Sequence, residues 1–351
     1  MDPKNRDLIS NKKRMLLLTD GNIDQASSRI RAIQYIPMFE NEGFEVRFIP
    51  RVTTQPTNKF LRYFIFPLVK RILWVIRMKA LYFESWDIIF IQRSFIKESA
   101  LRRLKNKTPV IFDFDDAIYL TDRLSTNRKK TEIMVKYADE IIISTEYLND
   151  FCSFSNRRGI VIPSPVETER IKPVNKDSGE VLTIGWIGSS WTTDYLKVVE
   201  PALQKLSKEV SFNFLMIGGR HDFRINNINH FSKKWSYEEE NSHISEMDIG
   251  IMPLPDNEFT RAKGGYKLYL YMSGGIPCVA SPVGVNKTII RDGENGFFAS
   301  SEDEWVEALR KLLTDPQLRA KLGQTGRADA LKYYDKTICF EKLLARVRRL
   351  V

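Results

Sequence analysis

Short apolar runs of strand length alternate with amphipathic helical stretches along the whole chain, and that alternation leaves few folds open. In the first half the runs fall at residues 15–19, 45–49, 88–92, 110–112 and 141–144. A charged stretch with several prolines covers residues 163–180, and the pattern then restarts at 182–187, 212–217, 249–252, 277–280 and 296–299. Strands separated by helices join through right-handed crossovers into parallel sheets, so each half is expected to form a Rossmann-like α/β domain. The expected limits are 1–165 for an N-terminal domain, 166–180 for a linker and 181–332 for a C-terminal domain. Residues 333–351 read as a basic amphipathic helix. Ligands of such sheets lie beyond the carboxyl ends of the strands, which here predicts a cleft that the two domains face.

At 351 residues, with 43% hydrophobic and 28% charged side chains, the chain is sized for two globular domains. The first residues are polar and mixed in charge, and no uninterrupted apolar run reaches the length of a spanning helix, so a cytoplasmic location is expected. Cys152, Cys278 and Cys339 show no C-x-x-C spacing, and His221, His230 and His243 no H-x-x-x-H spacing. Neither a disulfide framework nor a metal site is expected.

The formal net charge of +10 is concentrated in residues 1–170, which hold 29 Lys and Arg against 21 Asp and Glu. No acid occurs between Val46 and Phe83, where Lys59, Arg62, Lys70, Arg71 and Arg77 are interleaved with Phe60, Phe64, Trp74 and other large apolar residues. At 100° per residue Lys59, Arg62, Lys70 and Arg77 share one side of a helix, with Phe60, Leu61, Phe64, Ile65, Leu68, Leu73 and Ile76 facing away. Pro67 is expected to divide it into two short helices. A helix of this kind binds an anionic bilayer with about 1 kcal/mol per basic residue, which places the protein peripherally at the inner face of the cytoplasmic membrane. A core-packed helix with solvated lysines is the competing reading. Nucleic acid is not an expected partner, because no helix-turn-helix, zinc-finger or RNP-like pattern is present.

The segment from Ala262 to Asn286, AKGGYKLYLYMSGGIPCVASPVGVN, packs a glycine-rich loop, a short helix, a strand and a second turn together. Gly264 and Gly265 let backbone pass close to a ligand, the helix that follows aims free N–H groups at it, and Lys263 and Lys267 add positive charge. Alone, the glycines equally suit an ordinary tight turn. With the continuation through Gly284, Asp292-Gly293 and Asn295-Gly296-Phe297, the region resembles the family-4 retaining glycosyltransferases of the GT-B fold. Further matches are SSRIRAIQYIPMFENEGFEV from Ser27, VIFDFDDAIYL from Val110, ADEIIISTEYL from Ala138, VIPSPVE from Val161, IGWIGSS from Ile184 and DIGIMPLP from Asp248.

This resemblance implies a metal-independent, retaining transfer from a nucleoside-diphosphate sugar, UDP- or GDP-linked, with no cofactor. The leaving diphosphate would meet Lys263, Lys267 and Arg261, with Gly264, Gly265, Gly188, Ser189 and Ser190 supplying backbone and hydroxyl donors. A solvated loop charge explains Arg261 equally well. Asp113, Asp115 and Asp116 end a strand where relatives place a group that touches the donor sugar. Asp116, then Asp115, are the candidates to orient a sugar hydroxyl or accept a proton, an N-cap being the alternative for at least one of the three. Gly21 and Asn22 occupy the family's sugar or acceptor loop. Arg29, in the helix after it, either reaches a phosphate or pairs with an acid. Base recognition is expected near Gly218-Gly219 and Trp235-Ser236-Tyr237. The family's C-domain helix packs back on the N-terminal domain, which is the expectation for 333–351.

The chain departs from the family at two positions. Many relatives carry glutamates eight residues apart around the glycine loop, where this chain has Ala262 and Leu270. The expected activity is transfer to a lipid-linked or polysaccharide acceptor in surface polysaccharide synthesis. The alternative is a non-catalytic GT-B protein, a membrane-associated partner in a polysaccharide assembly complex. A sugar-nucleotide epimerase on the same fold leaves the basic aromatic arm without a purpose.

Overall fold

Strands buried on both faces need near-continuous apolar sequence, and Met15–Leu18, Ile88–Ile91 and Ile141–Ile143 supply it, each of these residues at 1% exposure or less. The computed structural model describes residues 12–51, 58–121, 126–174 and 181–351. Most of the polar N-terminal stretch, 1–11, and the 175–180 part of the expected linker lie outside the described residues. The chain divides into two units, one of residues 1–163 with 340–351 and one of residues 164–339.

The first unit holds β1 (Lys13–Thr19), β2 (Phe44–Pro50), β3 (Ile88–Gln92), β4 (Val110–Phe114), β5 (Glu140–Ile143) and β6 (Ile160–Val161). They form one parallel sheet in the order β2-β1-β3-β4-β5-β6. Because β2 and β3 lie on opposite sides of β1, the strand order reverses there and opens a crevice at the β1 and β3 carboxyl ends. From the C-terminal helix, Lys336–Leu350, Phe340 packs in this unit against the rings of Tyr35 and Phe39 at 5.5 and 4.9 Å.

The second unit holds β7 (Thr183–Gly188), β8 (Asn213–Gly218), β9 (Asn229–Lys233), β10 (Ile249–Met252), β11 (Cys278–Ala280) and β12 (Phe297–Phe298). Its parallel order is β12-β11-β10-β7-β8-β9, so the reversal falls between β7 and β10. Alternation along the strands builds two cores. Phe214, Met216, Ile249 and Ile251 belong to the cluster on one face, and Leu215, Ile217, Met252 and Ala280 to the other. Residues 166–174, assigned above to a linker, pack within this unit: Val166 and Ile171 are fully buried, and Val166 N–H donates to the Tyr334 carbonyl at 2.8 Å.

The basic aromatic stretch forms one continuous helical rod. A π-turn at Leu61–Ile65 leads directly into the helix Phe66–Phe83, with Pro67 in the first α-turn. The expected break at Pro67 is absent because the wider π-turn before it makes room for the proline ring, so the helix continues although Pro67 donates no N–H bond. Phe60, Tyr63, Phe64, Leu68, Ile72, Trp74 and Val75 are exposed, and Lys59, Arg62, Lys70 and Arg71 are exposed beside them. Arg77 is a correction. It shares the inward stripe with Phe66, Ala80 and Leu81, lies 5% exposed, and donates to the Thr19 and Ile49 carbonyls and to Ser94 Oγ. The Thr19 carbonyl at the end of β1 already accepts the Arg51 N–H at 3.0 Å, and the Arg77 guanidinium adds a second donor to it and one to the Ile49 carbonyl near the end of β2. Arg77 is therefore not a membrane-facing cation. No helix among the described residues is long and apolar enough to cross a membrane.

Beneath the β4 end, Arg31 and Asp113 form an ion pair at 2.5 Å with both side chains 2% exposed. Arg31 Nε also donates to Asp113 at 3.2 Å, and its Nη1 to the Ile162 carbonyl at 2.5 Å, so one guanidinium ties the ends of β4 and β6 together. Burial pushes the Asp113 carboxyl up to about 6 against the pull of Arg31, so the pair stays ionised at neutral pH. Arg31→Met, which strands that carboxylate, is expected to destabilise the first unit by roughly 3 kcal/mol in urea unfolding, whereas adding Asp113→Leu to it recovers most of the loss. An unchanged midpoint for the single variant would contradict this role.

Candidate functional site

The carboxyl end of the second sheet is built from backbone that tolerates only glycine. Gly218 has φ +74°, and a Cβ there would sit 2.0 Å from the Gly188 carbonyl oxygen; Gly219 N–H donates to that same oxygen at 2.9 Å. The ends of β7 and β8 are thus pressed together with no side chain between them. Ser189 and Ser190 follow in the exposed turn, which opens the 3-10 stretch Ser190–Val198. The Ser189 carbonyl accepts from Thr192 N–H at 2.9 Å, so the turn is held through its backbone while the Ser189 hydroxyl makes no cap bond.

On the other side of β7 the sheet parts. β7 and β10 pair only at Ile184–Ile249 and Gly185–Gly250. Beyond that point the Tyr271 hydroxyl enters between them, accepting from Ile187 N–H at 3.2 Å and donating to the Ile251 carbonyl at 3.1 Å. Gly250 makes room for the ring, since a Cβ there would lie 2.5 Å from it. The crevice of a reversing strand order is thus held open by a buried phenol whose pKa burial drives far upward, so it stays protonated and can donate.

Lys267 lies one helical turn before Tyr271 on the helix Tyr266–Ser273 and therefore on the same face. Its ammonium sits over the Trp186 ring at 5.5 Å from the centroid, and Trp186 is itself a β7 residue near the crevice. Gly265 starts this helix with φ +73°, and a Cβ there would meet Ile289 at 2.3 Å, so the loop is glycine by necessity. Lys263 lies over the Phe259 and Tyr195 rings at 4.8 and 5.9 Å. Arg261, the third cation named from sequence, makes a two-point pair with Asp256 at 2.6 and 3.1 Å, which occupies its guanidinium. Ala262 is fully buried and Leu270 is 2% exposed, so neither presents anything to a ligand. In the loops expected to recognise the base, Trp235 Nε1 donates to Glu240 at 2.9 Å and Tyr237 Oη to Glu167 at 2.7 Å.

In the first unit the β1 end carries Gly21 and Asn22. Gly21 N–H donates to Ser28 Oγ at 3.1 Å, its carbonyl accepts from Thr19 Oγ1 at 2.6 Å, and a Cβ would fall 1.8 Å from Gln25 Oε1. Asn22 is exposed and donates to Asp24. Arg29 is buried, and its guanidinium donates to the Ile23 carbonyl at 2.9 Å, which fixes the loop from beneath. Asp113, committed to Arg31, is structural. Asp115 and Asp116 both face Arg93, at 3.3 and 3.4 Å. The N-cap reading of these aspartates is not realised, because Ala117 precedes the 3-10 turn Ile118–Leu120 and no side chain caps it.

Arg93 went unnoticed in the sequence. It follows β3 with φ +50°, a backbone region that non-glycine residues rarely adopt, and its N–H donates to the Asp113 carbonyl at 2.8 Å. Burial raises the Asp115 pKa, Arg93 opposes the rise and Asp116 adds to it. A cavity of about 310 Å³ lies here, lined by Asp20, Arg51, Arg93, Phe95, Asn127 and Lys130 among others.

Residues 181–315 match the family model described as "Glycosyl transferases group 1". No curated protein matches the chain. Among solved structures, sucrose-phosphate synthase from Thermosynechococcus elongatus aligns with TM-score 0.74 at 14% identity, over 97% of this chain and 99% of that one. A glycosyltransferase from Rickettsia africae aligns with TM-score 0.69 at 14% identity, covering 97% and 99%. Anabaena HepE in complex with UDP aligns with TM-score 0.65 at 14% identity, covering 96% and 100%. With two parallel six-stranded sheets, the chain has the GT-B fold.

Removing the Tyr271 hydroxyl isolates a buried N–H and a buried carbonyl. Tyr271→Phe is expected to cost the second unit about 1–3 kcal/mol in urea unfolding, although the ring that fills the core remains. A variant as stable as the parent would mean that the hydroxyl does not hold the strands apart.

Proposed function

We propose that the protein moves a sugar, with retention, from a nucleoside-diphosphate donor to a lipid-linked or polysaccharide acceptor. The observation that carries the proposal is the second unit's crevice, where glycine backbone, a helix N-terminus and Lys267 converge at the parting of β7 and β10. Solved structures of the same fold include Anabaena HepE with UDP and with UDP-glucose, which supports a uridine or comparable nucleotide donor.

Chemically, departure of the diphosphate concentrates negative charge on its oxygens. Lys267 and Lys263 would neutralise that charge, and the amides at Gly188–Ser190 and at the start of the Tyr266 helix would bond the phosphate oxygens. These groups supply the stabilisation a divalent ion would otherwise give, so transfer is proposed to be metal-independent. On the first unit, Asp116 and Asp115 are proposed to orient a sugar hydroxyl or take the acceptor's proton. The raised pKa of Asp115 suits proton acceptance, and Arg93 fixes both carboxylates. Gly21 and Asn22 are proposed to form the sugar or acceptor loop, kept in place by Arg29. The exposed apolar and basic helix supports an acceptor met at the cytoplasmic membrane face, as in surface polysaccharide synthesis.

A second reading, a non-catalytic partner in a polysaccharide assembly complex, draws on Ala262 and Leu270. Both side chains are apolar and buried, so the ribose and sugar hydroxyls lose the carboxylates that many relatives offer.

A calorimetric panel of UDP- and GDP-sugars separates these readings. The transferase should bind one donor and hydrolyse it slowly with EDTA present, and Lys267→Ala should weaken UDP or GDP binding about tenfold. Absence of binding to every nucleotide would favour the second reading, and an EDTA-sensitive turnover would refute metal independence.

A further inference from the structure

Arg77 is a buried cation without a carboxylate. Among the described residues its guanidinium bonds two carbonyls and one hydroxyl, and no acidic group lies within ion-pair distance. Burial pulls its pKa down to about 10, with Arg51 adding to the fall and Asp20 opposing it. Its positive charge, bonded to no carboxylate, acts on whatever opening lies above it.

That opening is a groove of about 430 Å³ along the inner edge of the helix Phe66–Phe83. Arg77 lines it together with Arg51, Lys70, Lys97 and Lys130. Its one acid, Glu98, is already engaged by Arg102 at 2.7 Å and by the Tyr137 hydroxyl at 2.9 Å. The rest of the wall is apolar: Leu73, Trp74, Met78, Phe95, Ile96 and Ile133. The groove shares Arg51, Phe95 and Lys130 with the 310 Å³ cavity at the β1 and β3 ends, so the two adjoin. Trp74, on this wall, is itself exposed to solvent, so the apolar side of the groove is open to the surface. A polar pocket with Asp20 and Arg93, then a set of cations, then an apolar wall that ends at the exposed Trp74, matches one kind of molecule from end to end.

We propose that this groove binds an amphiphile with a phosphate or diphosphate group joined to a flexible apolar chain. The anionic group rests between Lys97 and Lys130, beside Arg51, which also pairs with Asp20 at 2.9 Å; the chain runs past Trp74 and Met78, and whatever the phosphate carries projects towards Arg93. That the carried group is the sugar acceptor rests on the transferase reading above; the binding itself does not.

Calorimetry on the full chain tests this with farnesyl diphosphate below its micelle concentration, inorganic pyrophosphate and farnesol. Farnesyl diphosphate is expected to bind at least about tenfold more tightly than either fragment, because only it satisfies both the cations and the apolar wall. The Lys97→Ala/Lys130→Ala variant should weaken it about tenfold and leave UDP affinity unchanged. Farnesol binding as well as the diphosphate, pyrophosphate binding as well as the diphosphate, or an unaffected double variant would each overturn the proposal. So would failure of farnesyl diphosphate to bind while phosphatidylglycerol vesicles bind parent and variant alike, which would make the face a membrane-adsorbing surface only. Amphiphile binding without any nucleotide binding would support the groove and sink the transferase reading; nucleotide binding without amphiphile binding would do the reverse.

Discussion

Close backbone contact at the carboxyl edge of the second sheet is the constraint on which the rest depends. Gly188 and Gly218 meet where no Cβ fits, and β7 and β10 separate around the Tyr271 hydroxyl only a few residues away. Neither feature arises from the hydrophobic pattern that makes the sheet. The first removes side chains from the surface a ligand would approach, and the second prevents the ladder from closing where the strand order reverses. Lys267 gains its position from the same helix that carries Tyr271, so charge and opening are set by one rigid element.

The first unit solves a different problem with buried guanidinium groups. Arg31 ties β4 to β6, Arg77 takes up carbonyls at the ends of β1 and β2, and Arg29 holds the loop after β1. Each lies under the functional edge, where parallel strands expose carbonyls that water cannot reach. Buried charge is costly unless it is bonded, so these residues favour one arrangement of the loops over alternatives. Arg93 continues the series at the surface, in a strained backbone conformation that aims its charge at Asp115 and Asp116.

Much of this architecture was legible in the sequence, for a physical reason. Strands covered on both faces read as unbroken apolar runs, which is why β1, β3, β4, β5, β7, β8, β10 and β11 stood out. β6 has only two residues and β9, NHFSK, is an exposed edge strand, so neither carries that signal. The glycine-lysine loop at 263–267 was readable because both residue types are unusual together before a helix. Arg77 was misplaced because a helical wheel reports which residues share a face, not which face meets a sheet edge. Tyr271 looked like one more apolar helix residue, and its hydroxyl acquires meaning only when β7 and β10 are seen to part. Arg93 gave no sequence signal at all, since nothing in an isolated arginine announces a positive φ.

The central claim is that a nucleoside diphosphate sits at the parting of β7 and β10. Hydrogen–deuterium exchange of the full chain, with and without saturating UDP or GDP, tests it most directly. The account predicts slowed exchange in the amides at 187–192, 218–220 and 263–268 with one of the two nucleotides. Binding that leaves those three segments unchanged and protects other parts of the chain would contradict it.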